Sequence, residues 1–566
     1  MNKLFYDIEV FNDYFLFGYI DEQDNIIQID SKSHSFIEIK ETIKNCIDNN
    51  ILIGYNNVGY DDVLIYEIVT NLNKWNYLKE LKKYSDIIIF NKNHQIYKNI
   101  QYNYLKILSF DILKAIGNFT SLKELESRFG IDIEETPVDF NKKELSNEDI
   151  ELIKYYHKND LIATKKVFEN AQAKGGIPLP AYLESRLFLK EEYGININNG
   201  YASIVNKLFS KNNPRWQKPI NWFKGKIPQE HLIDGKQTIA IKKYLIEVGG
   251  KGGLHYAPDK QKVFNDIHSF DVASQYPNVM ILLNMFTDII QDLIDKRMEL
   301  KKAGNDNQLA YKIIINAIYG NLGSEYSNIY DLNKLESVTM TSRQSLIELT
   351  RYLIDNISDF ELVNLNTDGI FFTGTMKDPQ VIIDYFRQFC NLELEYEHFD
   401  KIYQKDVNNY IAIKNGKVVK GKGAFVLNYF ENYNNNRCSI IDKMVVNKLA
   451  FNIDFSQTLK DNTNIKDYCI TYACRNSKDV RWDYVRLNQN DRKVVGKVNR
   501  VIATVDGEGN TLEKVNLEKN RVISFNDLPK TFTFVNQSVQ DLCINDYNID
   551  YDYYIQIAQN HYNAFK

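Results

Sequence analysis

Asp271-Val-Ala-Ser274-Gln275-Tyr276-Pro277, then Lys312-x-x-x-Asn316-x-x-Tyr319-Gly320, then Asn366-Thr367-Asp368-Gly369 stand in that order along a chain of 566 residues. The first closes an apolar, strand-like run and leaves Asp271 at the strand's end. The third lies within Leu362-Val-Asn-Leu-Asn366-Thr-Asp368-Gly369-Ile-Phe-Phe, which reads as strand, tight turn, strand, with an acid at the tip. Two helices joined by a turn are expected between them, from Thr287 to about Lys302 and from Gln308 to Ile318. Arg297 and Lys301 are four apart on one helix, Lys312 and Asn316 four apart on the other, so each pair shares a face. A helical hairpin can aim all four at one anion. Polyphosphate needs such convergent donors, and a buried cation cluster without an anion is costly.

The three motifs resemble motifs A, B and C of family B (alpha-like) DNA polymerases. The resemblance implies that Asp271, the Val272 backbone and Asp368 hold two Mg²⁺ ions, with Mn²⁺ as a substitute. It implies further that Ser274 and Gln275 border the triphosphate and that Tyr276 lies under the sugar as a steric gate against ribonucleotides. Lys312 would balance developing charge, with Asn316, Tyr319, Gly320 and Thr367 lining the substrate. The chain departs from the family pattern at Gln275 (usually Leu), Asn366 (usually Asp) and Gly369 (usually Ser). Asn408-Asn-Tyr410 stands where the family carries K-x-Y at the primer terminus, which shifts that role to Lys420 or Lys422. A glycine cluster, Val248-Gly-Gly-Lys-Gly252-Gly253, is similar to the family's Y-x-G-G linker, and glycine lets backbone approach DNA closely.

Near the amino end, Leu4-Phe-Tyr-Asp7-Ile-Glu9-Val-Phe reads as a buried strand whose period of two puts Asp7 and Glu9 on one face. With 74 acids in 566 residues, roughly ten acid-x-acid matches arise by chance, so the pair means little alone. It is followed by Asn56-Asn-Val-Gly-Tyr60-Asp61 at a strand-to-helix turn, and by Tyr156-His-Lys-Asn-Asp160 on a helix, where Tyr156 and Asp160 share a face. These resemble the three exonuclease motifs of proofreading polymerases. By that resemblance Asp7, Glu9, Asp61 and Asp160 hold two metal ions and Tyr156 orients the attacking water; two cations can stabilise both the attacking and leaving oxygens. Ser121-Leu-Lys123 through Gly130 reads as an amphipathic helix with a C-terminal glycine stop, its expected job being packing.

The expected architecture is mixed α/β and α+β multidomain: a ribonuclease H-like exonuclease domain at 1–175, a connector at 176–245, and a right-hand polymerase domain. The latter divides into palm (246–286 and 321–425), fingers (287–320) and thumb with C-terminal region (426–566). Hydrophobic content is 44% and net charge −5, so positive potential is expected along a groove rather than over the whole surface. Six cysteines without paired spacing read as reduced thiols, and no run approaches a membrane span. The resulting expectation is a monomeric proofreading polymerase of phage or mobile-element type in the host-cell cytoplasm, acting on primer-template DNA and dNTPs with a helicase and single-strand binding protein as partners. Three rival readings are a protein-primed replicase, disfavoured by only 41 positions between Asp271 and Lys312, a catalytically weakened DNA-binding scaffold, motivated by Asn366 and Asn408, and a nuclease-dominated repair enzyme.

Overall fold

The computed structural model describes residues 1–73, 75–90, 107–117, 120–209, 230–233, 236–249, 253–260, 262–423, 426, 429, 436–476, 480–487, 493–507 and 509–565. The chain is a mixed α/β structure of two units. One comprises Met1–Asn199, Tyr433–Arg437 and Asn464–Asp550; the other Gly200–Asn432, Cys438–Thr463 and Tyr551–Lys566.

In the first unit, β1 (Asn2–Val10), β2 (Phe15–Asp21), β3 (Ile26–Asp30), β4 (Asn50–Gly54) and β5 (Ser109–Asp111) form a sheet in the order β3-β2-β1-β4-β5. β1 to β3 are antiparallel, whereas β4 and β5 run parallel to β1. The period of two in β1 has a clear consequence. Leu4, Tyr6, Ile8 and Val10 pack into a core with Ile39, Ile43, Leu64 and Ile68 from the helices Phe36–Asn49 and Asp61–Thr70. Phe5, Asp7 and Glu9 take the other face, where the 24-residue helix Asn147–Asn170 lies and Phe5 meets Phe168 at 5.4 Å between ring centroids. A Ser146–Asp149 capping box starts that helix.

The Asn464–Asp550 part of this unit contains a three-stranded sheet (Ile470–Ala473, Val498–Ala503, Phe532–Phe534) and a four-stranded one (Tyr484–Leu487, Val494–Val495, Leu512–Asn516, Arg521–Ser524). Tyr472, Trp482, Val485, Val501, Leu512 and Phe532 form their shared core. The stretch 426–566, read from sequence as thumb and C-terminal region, is therefore divided between the two units. Its ends, the helices Ser439–Phe451 and Tyr551–Asn563, pack on each other in the second unit.

The second unit is built on an antiparallel six-stranded sheet of β6 (Val263–Val272), β7 (Ser358–Leu365), β8 (Gly369–Thr375), β9 (Leu394–Asp406), β10 (Asn409–Lys414) and β11 (Lys417–Lys422), ordered β7-β8-β6-β9-β10-β11. Phe264, Ile267, Val363, Phe371, Phe399, Ile402 and Ala412 fill one core cluster. The expected helical hairpin is present as Thr287–Lys302 and Gln308–Leu322. The region read as connector holds the helices Leu179–Tyr193 and Tyr201–Leu208 and strands Lys236–Ile241 and Tyr244–Val248. Among the described residues no helix is long and apolar enough to cross a membrane, and no disulfide joins any of the six cysteines.

The strand that leads into the Asp368 turn is braced by one buried amide. Gln404 donates to the Val363 carbonyl at 2.7 Å and accepts from Asn364 Nδ2 at 3.2 Å. Gln404→Leu takes this donor from the buried Val363 carbonyl and leaves Asn364 Nδ2 only the Val407 carbonyl at 3.4 Å; it is expected to cost about 1–3 kcal/mol of unfolding free energy, measured by urea denaturation.

Candidate active sites

Two carboxylate sites emerge, one in each unit. In the first, ligand oxygens of Asp7, Glu9 and Asp160 lie within 4.8 Å of one another. Period two places the first pair, and the helix Asn147–Asn170 supplies the third. Asp61 opens its own helix, buried and electrostatically coupled to Asp7, but it lies outside that 4.8 Å group. Its neighbour Asp62 turns into the core instead, accepting from the Tyr6 hydroxyl at 2.5 Å. Tyr156, one turn before Asp160, is half-buried with its ring edge-on to Tyr155. His157 is fully buried; the Gln28 amide faces Nδ1 at 2.9 Å, leaving Nε2 to donate to the Asp7 carbonyl at 3.1 Å.

Lys123 enters this site from the helix whose expected job was packing. Its Nζ lies 2.5 Å from Asp160 Oδ1 and 3.1 Å from Glu126 Oε1. Glu126, which sequence reasoning missed, is buried, and its other oxygen has no hydrogen-bond partner among the described residues. Its only sequence signal is the i, i+3 spacing from Lys123. Burial, then the Asp160 carboxylate, pushes Asp7 up to about 7. Burial with Asp7 and Asp160 also lifts Glu9 well above the carboxylate range. One ammonium does not balance this many acids. An all-oxygen donor set of half-buried carboxylates fits a hard divalent cation such as Mg²⁺ or Mn²⁺.

In the second unit, Asp271 stands opposite Gly369 on β8 and opposite Glu395 on β9. A Cβ at Gly369 would overlap Asp271 Oδ1. The departure from serine there thus makes room for the neighbouring carboxylate. The turn is tied by Asn366 N to Gly369 O (2.9 Å), Val272 N to Asp368 O (2.8 Å) and Thr367 N to Asn366 Oδ1 (2.8 Å). Asn366 spends its side-chain oxygen on the turn, while Asp368 is exposed at the tip. Burial, then Asp368, pushes Asp271 up to about 6; Lys420 opposes this, and Glu395 and Glu397 add to it. These two acids escaped the sequence reading, although they alternate with period two on β9.

The rest of the first motif meets the second motif here. Ser274 adopts left-handed backbone (φ 43°, ψ 50°) immediately before the helix Gln275–Leu282. The Tyr276 ring stacks on Tyr319 at 3.9 Å and 16°, joining the first motif to the second, and burial, then Tyr319 and Asp368, raises the Tyr276 hydroxyl. Tyr319 is anchored to Thr339 at 2.7 Å. Gln275 is buried with neither amide atom partnered among the described residues. On the helical hairpin Lys312 is half-buried, whereas Lys301, Asn316 and Gly320 are exposed, and Arg297 Nε reaches Gln308 at 3.4 Å.

Lys420 pairs with Glu397 at 2.6 Å and lies over the Phe399 ring, and Lys422 stands opposite Tyr410 across β10 and β11. The Tyr410 hydroxyl is pushed up to about 12 by burial and then by Asp271 and Asp368. Gly253 abuts the catalytic turn: a Cβ there would meet Thr367 Cα at 2.8 Å. Its close approach is thus to Thr367. Gly252 lies outside the described residues.

Residues 288–376, which hold the hairpin, the second motif and the Asp368 turn, match the sequence profile of DNA polymerase family B. Polymerases by name also align more widely. The DNA polymerase of Acidianus bottle-shaped virus is 22% identical over 378 residues, which cover 62% of this chain and 52% of the viral protein. The DNA polymerase of Pyrococcus glycovorans is 26% identical over 199 residues, covering 26% of this chain and 25% of its own length. DNA polymerase 1 of Aeropyrum pernix is 30% identical over 158 residues, or 25% and 16%. The chain thus spans about half the length of the viral relative. The solved family B DNA polymerase of Pyrobaculum calidifontis superposes with a TM-score of 0.46 and 12% identity, covering 100% of this chain and 78% of that one.

The raised Asp7 carboxyl makes stability depend on pH and metal. In the folded protein it keeps its proton up to about pH 7, whereas an unfolded Asp ionises near pH 4. The unfolded state binds fewer protons in that window, so Asp7 costs stability as pH rises through it. Asp7→Asn removes the cost. In chelator its thermal midpoint is expected to gain on wild type between about pH 5 and about pH 8, and added Mn²⁺ to shrink that gain.

Proposed function

We propose that this chain is a template-directed DNA polymerase that extends a primer 3′ end with dNTPs and trims mispaired ends with a 3′-5′ exonuclease. The observation that carries the reading is the meeting of Asp271, the Asp368 turn and the Tyr276–Tyr319 stack beside a helical hairpin within the family B match.

Asp271 and Asp368 would hold two Mg²⁺ ions, which when bound lower the cost of charge on the primer 3′-oxygen and on the departing pyrophosphate. Gly369 leaves the Asp271 carboxylate its place, and Asn366 keeps the turn closed. Lys312, with Arg297 and Lys301 on the facing helix, meets triphosphate charge. Tyr276, fixed flat against Tyr319, is placed to bar a 2′-hydroxyl. Gly253 and Thr367 shape the turn beneath the substrate, and the strands around Tyr410, Lys420 and Lys422 border the primer end.

Asp7, Glu9, Asp61 and Asp160 would hold the ions of the nuclease, with Tyr156 orienting water and Lys123 meeting phosphate charge. The strand order β3-β2-β1-β4-β5 with β4 and β5 parallel to β1 supports a ribonuclease H-like domain within 1–175, and the six-stranded sheet supports a palm within 246–286 and 321–425. Primer-template DNA and dNTPs are the implied partners, in replication of a virus or mobile element.

Primer extension on a labelled primer-template tests both halves. Asp368→Ala is expected to abolish dNTP-dependent extension while leaving primer shortening, and Asp7→Ala the reverse; extension by Asp368→Ala at wild-type rate contradicts the polymerase site. Gly369→Ala is expected to lower extension more than about tenfold by displacing Asp271, a loss of at least about 1.4 kcal/mol in transition-state stabilisation. Tyr276→Ala should admit ribonucleotides, read as the ratio of kcat/KM for dNTP over rNTP.

A further inference from the structure

The Asn464–Asp550 segment grips one short helix of the nuclease domain from two sides. That helix, Leu122–Phe129, has two working faces. Lys123 and Glu126 point to the Asp7–Glu9–Asp160 group. Glu124 and Ser127, one position on in each case and so about 100° around the helix, face the C-terminal strands instead. Arg475 donates to both Glu124 oxygens, from Nε at 3.0 and 3.1 Å and from Nη2 at 2.5 Å, although Glu124 is 1% exposed. Ser127 Oγ meets Thr471 Oγ1 at 2.7 Å.

Arg500 completes the grip. It is 0% exposed, and its bonds go to main-chain carbonyls: Val535 (2.7 Å), Ser127 (3.0 Å), Ile131 (3.2 Å), Glu126 (3.3 Å) and Gln537 (2.5 Å). Three of these acceptors belong to the last turn of the helix and the residues after it, where the helix dipole favours a cation; the Glu126 and Ser127 carbonyls accept from Gly130 N–H as well. Gly130, left-handed at φ 74°, ends the helix where a Cβ would overlap Val539 of the same C-terminal segment.

We propose that Arg475 and Arg500 are positioning residues of the exonuclease: by fixing both ends of the helix Leu122–Phe129 from the C-terminal segment, they set where the Lys123 ammonium stands against Asp160. This rests on the nuclease reading above and gives Asn464–Asp550 a part in 3′-end removal.

The test uses the full chain, a 5′-labelled single-stranded oligonucleotide and Mg²⁺. Arg475→Gln is the working variant because its side chain is half-exposed and its loss opens no core cavity; Arg475→Lys and Arg500→Lys are its companions. Arg475→Gln is expected to lower kcat for shortening about tenfold or more, as outer supports of catalytic groups generally do, with KM and dNTP-dependent extension unchanged, and Arg475→Lys to recover part of the loss. In a Lys123→Ala background the same change should add nothing, because both act through one ammonium. Losses that multiply in the double variant, an equal fall in extension, or full shortening activity in Arg475→Gln would each overturn the proposal. Absence of shortening by wild type, or shortening undiminished in Asp7→Ala, would instead sink the nuclease reading and this proposal with it.

Discussion

Carboxylates crowded together are the constraint around which both candidate sites are arranged. Each acid raises the cost of ionising the next, and burial raises it again, so Asp7 is pushed up to about 7 and Asp271 to about 6. Such a grouping persists only where rigid elements enforce it. Here the enforcement is strand register: Asp7 and Glu9 share a sheet face, and Asp271 is paired across to the residue after Asp368. A divalent cation would relieve that repulsion, as the proposed reactions require.

The two sites relieve the strain differently. In the first unit a buried ammonium, Lys123, lies against Asp160 and Glu126. In the second, Lys420 is spent largely on Glu397, and Asp368 stays exposed at its turn. Small residues decide the geometry in both. Gly369 leaves room for the Asp271 carboxylate, and Gly18, opposite Asp7 in register, leaves room for the His157 ring that donates to the Asp7 carbonyl. Glycines are thus required here by neighbours that are distant in sequence.

What was legible in the sequence was what local periodicity carries. The alternation around Asp7 and Glu9, the four-residue spacings of Lys312 with Asn316 and of Tyr156 with Asp160, and the strand–turn–strand pattern at Asp368 each correspond to elements of the structure. What stayed hidden depends on partners far along the chain. Lys123 read as a packing residue because nothing local links it to Asp160, 37 positions away. Gly369 and Asn366 looked like losses from a motif until the pairing of β6 with β8 showed what each accommodates. The association of Asn464–Asp550 with the amino-terminal domain rests on Arg475 and Arg500 reaching partners more than 340 positions away, which no window of sequence contains.

Nucleotide transfer as proposed requires metal ions on Asp271 and Asp368. Anomalous diffraction from crystals of the chain with primer-template DNA, a non-hydrolysable dNTP and Mn²⁺ tests this directly. The account predicts manganese bound to both carboxylates and to the triphosphate. A triphosphate seated in the site with no manganese on Asp271 or Asp368 would contradict it.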